Sequence, residues 1–171
     1  MTPSDAHERL WTDGAKAWEE AFDPQRTPLF DGILDACGVG PGMDVLDAGC
    51  GSGGIAALAG TRGAHAAGFD ISEGMVGLAR AKVPDGDFRV GGLDAVPFES
   101  DGFDAVIACD CLPFADDTVR AIEELGRVCR ADGTVAVAIW EVAENSDYSR
   151  IFAAMEASLP KPTSITPLRL S

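Results

Sequence analysis

The sequence predicts an α/β fold, with a mainly parallel, doubly wound sheet and helices on both faces. Short apolar runs at 45–48, 64–69, 103–109 and 134–140 alternate with stretches of helical periodicity. Runs that are apolar on both faces belong to strands buried on both sides, as in parallel sheets. A third sign is the segment Asp47-Ala48-Gly49-Cys50-Gly51-Ser52-Gly53-Gly54, where a strand runs through a tight glycine turn into a helix. With 171 residues and 46% apolar composition, one domain with a sizeable core is expected.

In chain order, Trp11, Ala15, Trp18 and Phe22 repeat at spacings of four, three and four, which is one helical face. Asp23-Pro24 is expected to end that helix. Thr27-Pro28 reads as an N-cap and first-turn proline of a second helix, with Phe30, Ile33, Leu34 and Cys37 inward and Gly38 as terminator. After Gly40-Pro41-Gly42, strand 45–48 leads to a short helix at 55–59 and a strand at 64–69. Ser72 caps a helix with the stripe Met75, Ala79 and Val83. A weak strand follows at 88–91, then an apolar one at 103–109. Helix 117–130 is expected to turn Ile122, Leu125 and Val128 inward, and strand 134–140 to be buried on both faces. A last helix is expected at 147–159, with Ile151, Phe152, Met155 and Leu159 on one side, followed by a loose tail at 161–171. The chain thus divides into N-terminal helices (1–39), a core (43–140) and a last helix and tail (147–171).

Gly49, Gly51 and Gly54 fit the G-x-G-x-x-G spacing, in which glycine lets a ligand approach the backbone and a helix N-terminus faces it. Asp70 follows Gly49 by 21 residues at the end of the second strand, where an acid takes a ribose hydroxyl pair. The spacing alone fits any adenosine ligand. Against a dinucleotide stand Asp47, whose carboxylate opposes a pyrophosphate, and the lack of room for a second catalytic domain. Tyr148 is followed four residues on by Phe152, so a Tyr-x-x-x-Lys pair is missing. There is no G-x-x-x-x-G-K-[ST] segment.

Four segments together resemble the class I S-adenosylmethionine-dependent methyltransferases that act on small molecules. Asp47-Ala48-Gly49-Cys50-Gly51-Ser52-Gly53 is similar to their first motif, and Gly68-Phe69-Asp70-Ile71-Ser72-Glu73-Gly74-Met75 to their second-strand segment. Leu93-Asp94-Ala95-Val96-Pro97-Phe98 with Phe103-Asp104 is similar to the next, and 125–134 to the segment before strand five, with Ala131-Asp132 replacing its usual Pro-Gly. The matches run in order over about residues 30–140. The resemblance implies a Rossmann-like fold and S-adenosyl-L-methionine as cofactor, with S-adenosyl-L-homocysteine as product. It implies that Gly49, Gly51 and Gly53, with Cys50 among them, carry the methionine part, and that Asp47 lies nearby. Asp70 would hold the ribose hydroxyls, and Ile71 and Met75 would pack on the nucleoside. Met75 fits helix packing equally well. Asp94 would accept from the adenine amino group, Ala95 would offer a backbone contact and Cys109 would touch the methionine part. Trp11 and Trp18 would form a lid, or else pack as an ordinary helix face.

For the chemistry, methyl transfer asks the protein chiefly to position its partners and exclude water. Asp110, just past the fourth strand, is the candidate general base, with a capping or solvent-facing role as its competitor. His7 and His65 are poor candidates, since His65 opens strand two at the far end of the sheet. Cys109-Asp110-Cys111 is too tight for a zinc knuckle, so no metal is expected; Cys37, Cys50, Cys109, Cys111 and Cys129 read as small hydrophobes of a reducing cytoplasm. A net charge of −15 argues against nucleic acid, and no run is apolar enough to span a membrane. The resembling family continues into two more strands, which are not expected within this chain. A homodimer or second chain covering the fifth strand's edge is therefore expected. The expected function is methyl transfer to an O, N or C nucleophile of a metabolite. The alternative is a methyltransferase-like protein that binds the cofactor without methylating, as a cyclase, hydrolase or assembly partner.

Overall fold

The computed structural model describes residues 3–21 and 23–139. Helices α1 (Pro3–Ala21) and α2 (Asp23–Ala36) precede β1 (Asp44–Ala48), α3 (Gly54–Thr61), β2 (His65–Asp70), α4 (Glu73–Lys82), β3 (Asp87–Val90), β4 (Phe103–Cys109), α5 (Thr118–Val128) and β5 (Cys129–Ala138). The five strands form one sheet in the order β3-β2-β1-β4-β5, and every pairing is parallel. This is the Rossmann-like, mainly parallel architecture that the sequence leads one to expect. Strand order reverses between β1 and β4, so the crevice at the carboxyl ends of those strands is where such folds receive ligands.

Strand periodicity divides the core. Val45, Ala105 and Ile107 face Phe30, Leu34, Ile55 and Ala59 of α2 and α3. Their neighbours Leu46, Ala48, Val106 and Ala108 face Phe69, Ala121, Leu125 and Val128 on the other side. A smaller cluster joins Cys50 and Ala56 to Val76, Ala79 and Phe88 under α4.

Strand β4 and the Ser72 cap follow the sequence reading closely, and the Ser72 hydroxyl accepts from the Met75 N–H at 3.1 Å. Gly38 closes α2 at φ 64°, while the Val39 N–H bonds back to the Leu34 carbonyl at 2.9 Å. Three expectations need correction. Helix α2 begins at Asp23, so Pro28 lies inside it rather than at its first turn. A proline lacks an N–H, and the helix runs on without that one bond. In α5, Leu125 and Val128 are fully buried with Ala121, but Ile122 is 51% exposed. The buried face is set by Ala121, Leu125 and Val128, and Ile122 lies outside that stripe. Strand β5 is the outermost strand among the described residues and is not covered on both faces: Val135 and Val137 stand 40% and 47% exposed. The side chain of Phe22, and the expected last helix and tail at 147–171, lie outside the described residues.

Helix α1 is fastened across α4. Thr12 and Ser72 share a hydroxyl hydrogen bond of 3.0 Å, and Lys82 pairs with Glu19 at 3.0 Å. At Gly74, a side chain would come within 3.0 Å of the Thr12 carbonyl oxygen, so glycine lets the two helices approach. Among the described residues no helix is long and apolar enough to cross a membrane.

Candidate functional site

The carboxyl ends of β1, β2 and β4 open into a cleft of about 1110 Å³, part of it continuous with solvent. Its floor is the turn after β1. Gly49 and Gly51 have φ of 66° and 52°, values that L side chains rarely adopt. A Cβ on Gly49 would lie 2.4 Å from the Cβ of Cys111, so this glycine is required by packing. A Cβ on Gly51 would meet nothing within 4 Å, which leaves that stretch of backbone open to an incoming ligand.

Two acids shape the turn. Asp47 is 2% exposed, and its carboxylate accepts from the Ala56 N–H at 3.2 Å. It thus supplies from β1 the cap that Gly53 cannot give to α3. Asp70 accepts from the Gly51 N–H and the Ser72 N–H, both at 2.9 Å. One carboxylate thereby ties the glycine turn to the start of α4. Burial pushes Asp70 above the usual carboxylate range, and the backbone donors of Ser72, Gly51 and Ile71 oppose that shift.

Asp47, Gly49, Cys50, Gly51, Asp70, Ile71, Met75, Asp94, Cys109 and Asp110 all line this cleft, and so do Trp11 and Trp18. Two of the expected residues do not. Gly53 faces α4, where a Cβ would lie 3.1 Å from Ala79, and its positive φ serves the helix start. Ala95 is exposed outside the lining, and its N–H goes to the Gly92 carbonyl at 3.3 Å. Gly91, Gly92 and Leu93 occupy that wall instead. The Asp94 carboxylate already accepts from the N–H groups of Asp117 and Asp116, at 2.8 and 3.2 Å. It holds the loop before α5 while presenting an edge to the cleft.

Over the opening, Trp11 and Trp18 meet edge to face at 5.0 Å, and Trp11 meets Phe114 at 5.8 Å. Phe114 arrives from the loop after β4, so the α1 rings meet that loop beside the cleft. Asp110 has φ 58°, an uncommon conformation for a residue other than glycine. Its carboxylate is ion-paired with Arg26 of α2, whose Nη2 also reaches the Cys109 Sγ at 3.3 Å. The guanidinium lies over the Phe30 ring, 5.2 Å from its centre. One carboxylate oxygen of Asp110 is therefore engaged by a cation.

Arg26 and Phe114 escaped the sequence reading, and Phe30 reads there only as a core residue. Arg26 sits 84 residues from its partner, and no local pattern marks such a pair. The thiols of Cys50, Cys109 and Cys111 are all pushed up by burial, with Arg26 opposing at Cys109, so they stay protonated at neutral pH. No group of three metal-ligating side chains occurs among the described residues.

Comparisons with known proteins agree with this geometry. A family described as "Methyltransferase domain" matches residues 46–137. An uncharacterized Mycobacterium tuberculosis protein, Rv1405c, is 33% identical over 146 residues, covering 82% of this chain and 52% of its own. The demethylmenaquinone methyltransferase of Renibacterium salmoninarum is 33% identical over 106 residues, covering 62% of this chain and 45% of its own. This chain spans about half the length of such relatives. Among solved structures, the [4+2]-cyclase SpnF superposes with a TM-score of 0.60 at 26% identity, over 65% of this chain and 43% of its own.

Proposed function

This chain belongs to the methyltransferase domain family, and from that premise we propose that it binds S-adenosyl-L-methionine and transfers the methyl group to a small-molecule acceptor with an O, N or C nucleophile. The observation that carries the reading is the joint between Gly51 and Asp70. Bare backbone faces the cleft there, and a half-buried carboxylate spans the two loops that would enclose a ribose.

When bound, the cofactor supplies an activated methyl group, and the chain's residues position the partners. Asp70 has lone pairs left for ribose hydroxyls beyond its backbone donors. Met75 and Leu93 offer apolar walls to a nucleoside, and Asp94 an acceptor edge. The turn at 49–51 lets the ligand's chain lie on backbone, with Asp47 beneath. Trp11, Trp18 and Phe114 exclude water and give a flat surface for an acceptor. Because Asp110 is paired with Arg26, the reading favours an acceptor that loses its proton readily or to water. The protein would act in the cytoplasm, where its five free cysteines stay reduced.

Calorimetric titration with S-adenosylmethionine and S-adenosylhomocysteine tests the binding; absence of heat with both would falsify it. Turnover of labelled methyl groups on metabolite mixtures tests the transfer. A second reading, cofactor binding without methyl transfer, is favoured by the engaged Asp110 and the likeness to a cyclase. Tight binding of both nucleosides with no labelled product would select it.

A further inference from the structure

Segment 94–98 lies between β3 and β4, outside the sheet, and arginines bind four of its five main-chain carbonyls. Arg120 Nε donates to the Asp94 carbonyl at 2.7 Å. Arg127 donates to the carbonyls of Val96 at 3.0 Å and Phe98 at 2.9 Å, and Arg89 to that of Pro97 at 2.6 Å. The Val96 N–H goes to Glu124 at 2.9 Å, and Glu124 is ion-paired with Arg127 at 2.7 Å. Glu124 and Arg127 thus meet Val96 with one acceptor and one donor, as a neighbouring strand would. Arg120, Glu124 and Arg127 recur at spacings of four and three, so one face of α5 grips the segment.

Stability does not account for this grip. The side chains of Arg127 and Glu124 are 33% and 20% exposed, Arg120 is exposed, and charged contacts so near water add little to folding. What they supply is geometry, because charge-assisted hydrogen bonds fix direction as well as distance. The residue held is Asp94, the one member of 94–98 that lines the cleft. Each of its carboxylate oxygens takes one backbone N–H, from Asp117 and from Asp116, and keeps a lone pair for a ligand. A carboxylate accepts from an amino group and repels a carbonyl oxygen, but it separates the two only if it is held in place.

We infer that Arg120 and the Glu124–Arg127 pair are positioning residues that make Asp94 discriminate between an amino and an oxo group on a base in the cleft. None of the three lines the cleft; they act through the main chain of 94–98. Fixed at both its carboxylate and its carbonyl, Asp94 meets a base in one orientation, and an oxo group there faces an acceptor with an acceptor. Once released, Asp94 can turn away from the oxo group, and the rejection is lost.

The inference rests on the cofactor reading above. Its test is titration of the full chain with S-adenosylhomocysteine and with S-inosylhomocysteine, which carries an oxo group in place of the amino group. Wild type is expected to prefer the adenosyl compound by about tenfold or more. Arg120→Met and Arg127→Met should each cut that preference by about threefold or more, and Arg120→Lys should restore part of it by keeping a donor. In an Asp94→Ala background, Arg120→Met should leave the preference unchanged, since the residue it positions is gone. A preference unmoved in either folded variant, whatever happens to its melting temperature, overturns the inference and leaves the grip as part of the fold. A further fall in the Asp94→Ala background overturns it too. So does a wild type that binds the two compounds equally, which leaves the cofactor reading intact. Wild type that binds neither sinks both. Thermal melting checks folding, and if Arg127→Met does not fold, the exposed Arg120→Met decides alone.

Discussion

The two ends of strands β1 and β4 are built from the same residue types and put to opposite use. At the amino ends, Arg130 joins Asp44 at 2.7 Å and also Asp104, while the Asp44 N–H bonds the Asp104 carboxylate at 2.8 Å. These side chains are 31–39% exposed. At the carboxyl ends, Arg26 and Asp110 are far more buried, on strained backbone. The first cluster is closed, with each charge answered within it and water nearby. The second is more enclosed and lies at the cleft.

Five substitutions test how sharp that contrast is. The largest effect is expected from Gly49→Ala. It combines a left-handed alanine, about 1–2 kcal/mol, with a collision against Cys111 at 2.4 Å, about 1–3 kcal/mol of overpacking. Urea unfolding should show a loss of about 3 kcal/mol, and calorimetry no S-adenosylhomocysteine binding. Gly51→Ala, with open space at its Cβ, should lose only about 1 kcal/mol. Equal stabilities for the two variants would remove the argument that the turn is pressed against the loop after β4.

Next comes Asp70→Ala, which frees the Gly51 and Ser72 N–H groups and should weaken S-adenosylhomocysteine at least tenfold, or about 1.4 kcal/mol. Its effect on folding should be small, because removing a half-buried carboxylate offsets the lost bonds. The pH signature distinguishes the two ends. Asp70 is raised in the fold, so its contribution to stability is full below the unfolded value and is lost as pH rises through the folded one. Asp104 is lowered, first by its hydrogen bond with Arg130 and then by the Asp44 N–H. Its contribution is present above the unfolded value and lost as pH falls through the folded one. Urea midpoints across the acid range should therefore show Asp70→Ala removing a falling component and Asp104→Ala a rising one. The same slope in both would contradict the assignment.

The smallest effect is expected for Arg130→Ala, a slight loss of stability that shrinks with added salt, since the cluster is about a third exposed. Nucleoside affinity should not change. A tenfold loss there would mean that the two ends of the strands are coupled.

What the sequence made legible was local. Strand β4 is an apolar run whose limits are set by its neighbours, and Ser72 caps by a bond to a residue three positions away. Asp47, Asp70 and the glycines stand out because turn, cap and strand end fall within a few residues. What escaped depended on distant segments. Arg26 has meaning only beside Asp110, and the Asp94 carboxylate only beside 116–117. Trp11 needed Phe114 before it could be told from a core residue. Pro28 misled because a proline is read as a helix start, while α2 carries on without that one bond. Ile122 misled because apolar character alone does not say which side of a helix is covered.

Every described residue lining the cleft falls between Trp11 and Ala115. The described part of the cleft wall therefore comes from residues ahead of α5, like the part of a socket that is cast first. A chimera carrying the first 115 residues of this chain and the remainder of a relative would inherit these lining residues, with Asp94 and Asp110 held by the grafted counterparts of 116–117 and 138. What the exchange changed in such a hybrid would trace to the grafted half, and what it preserved would trace to the socket.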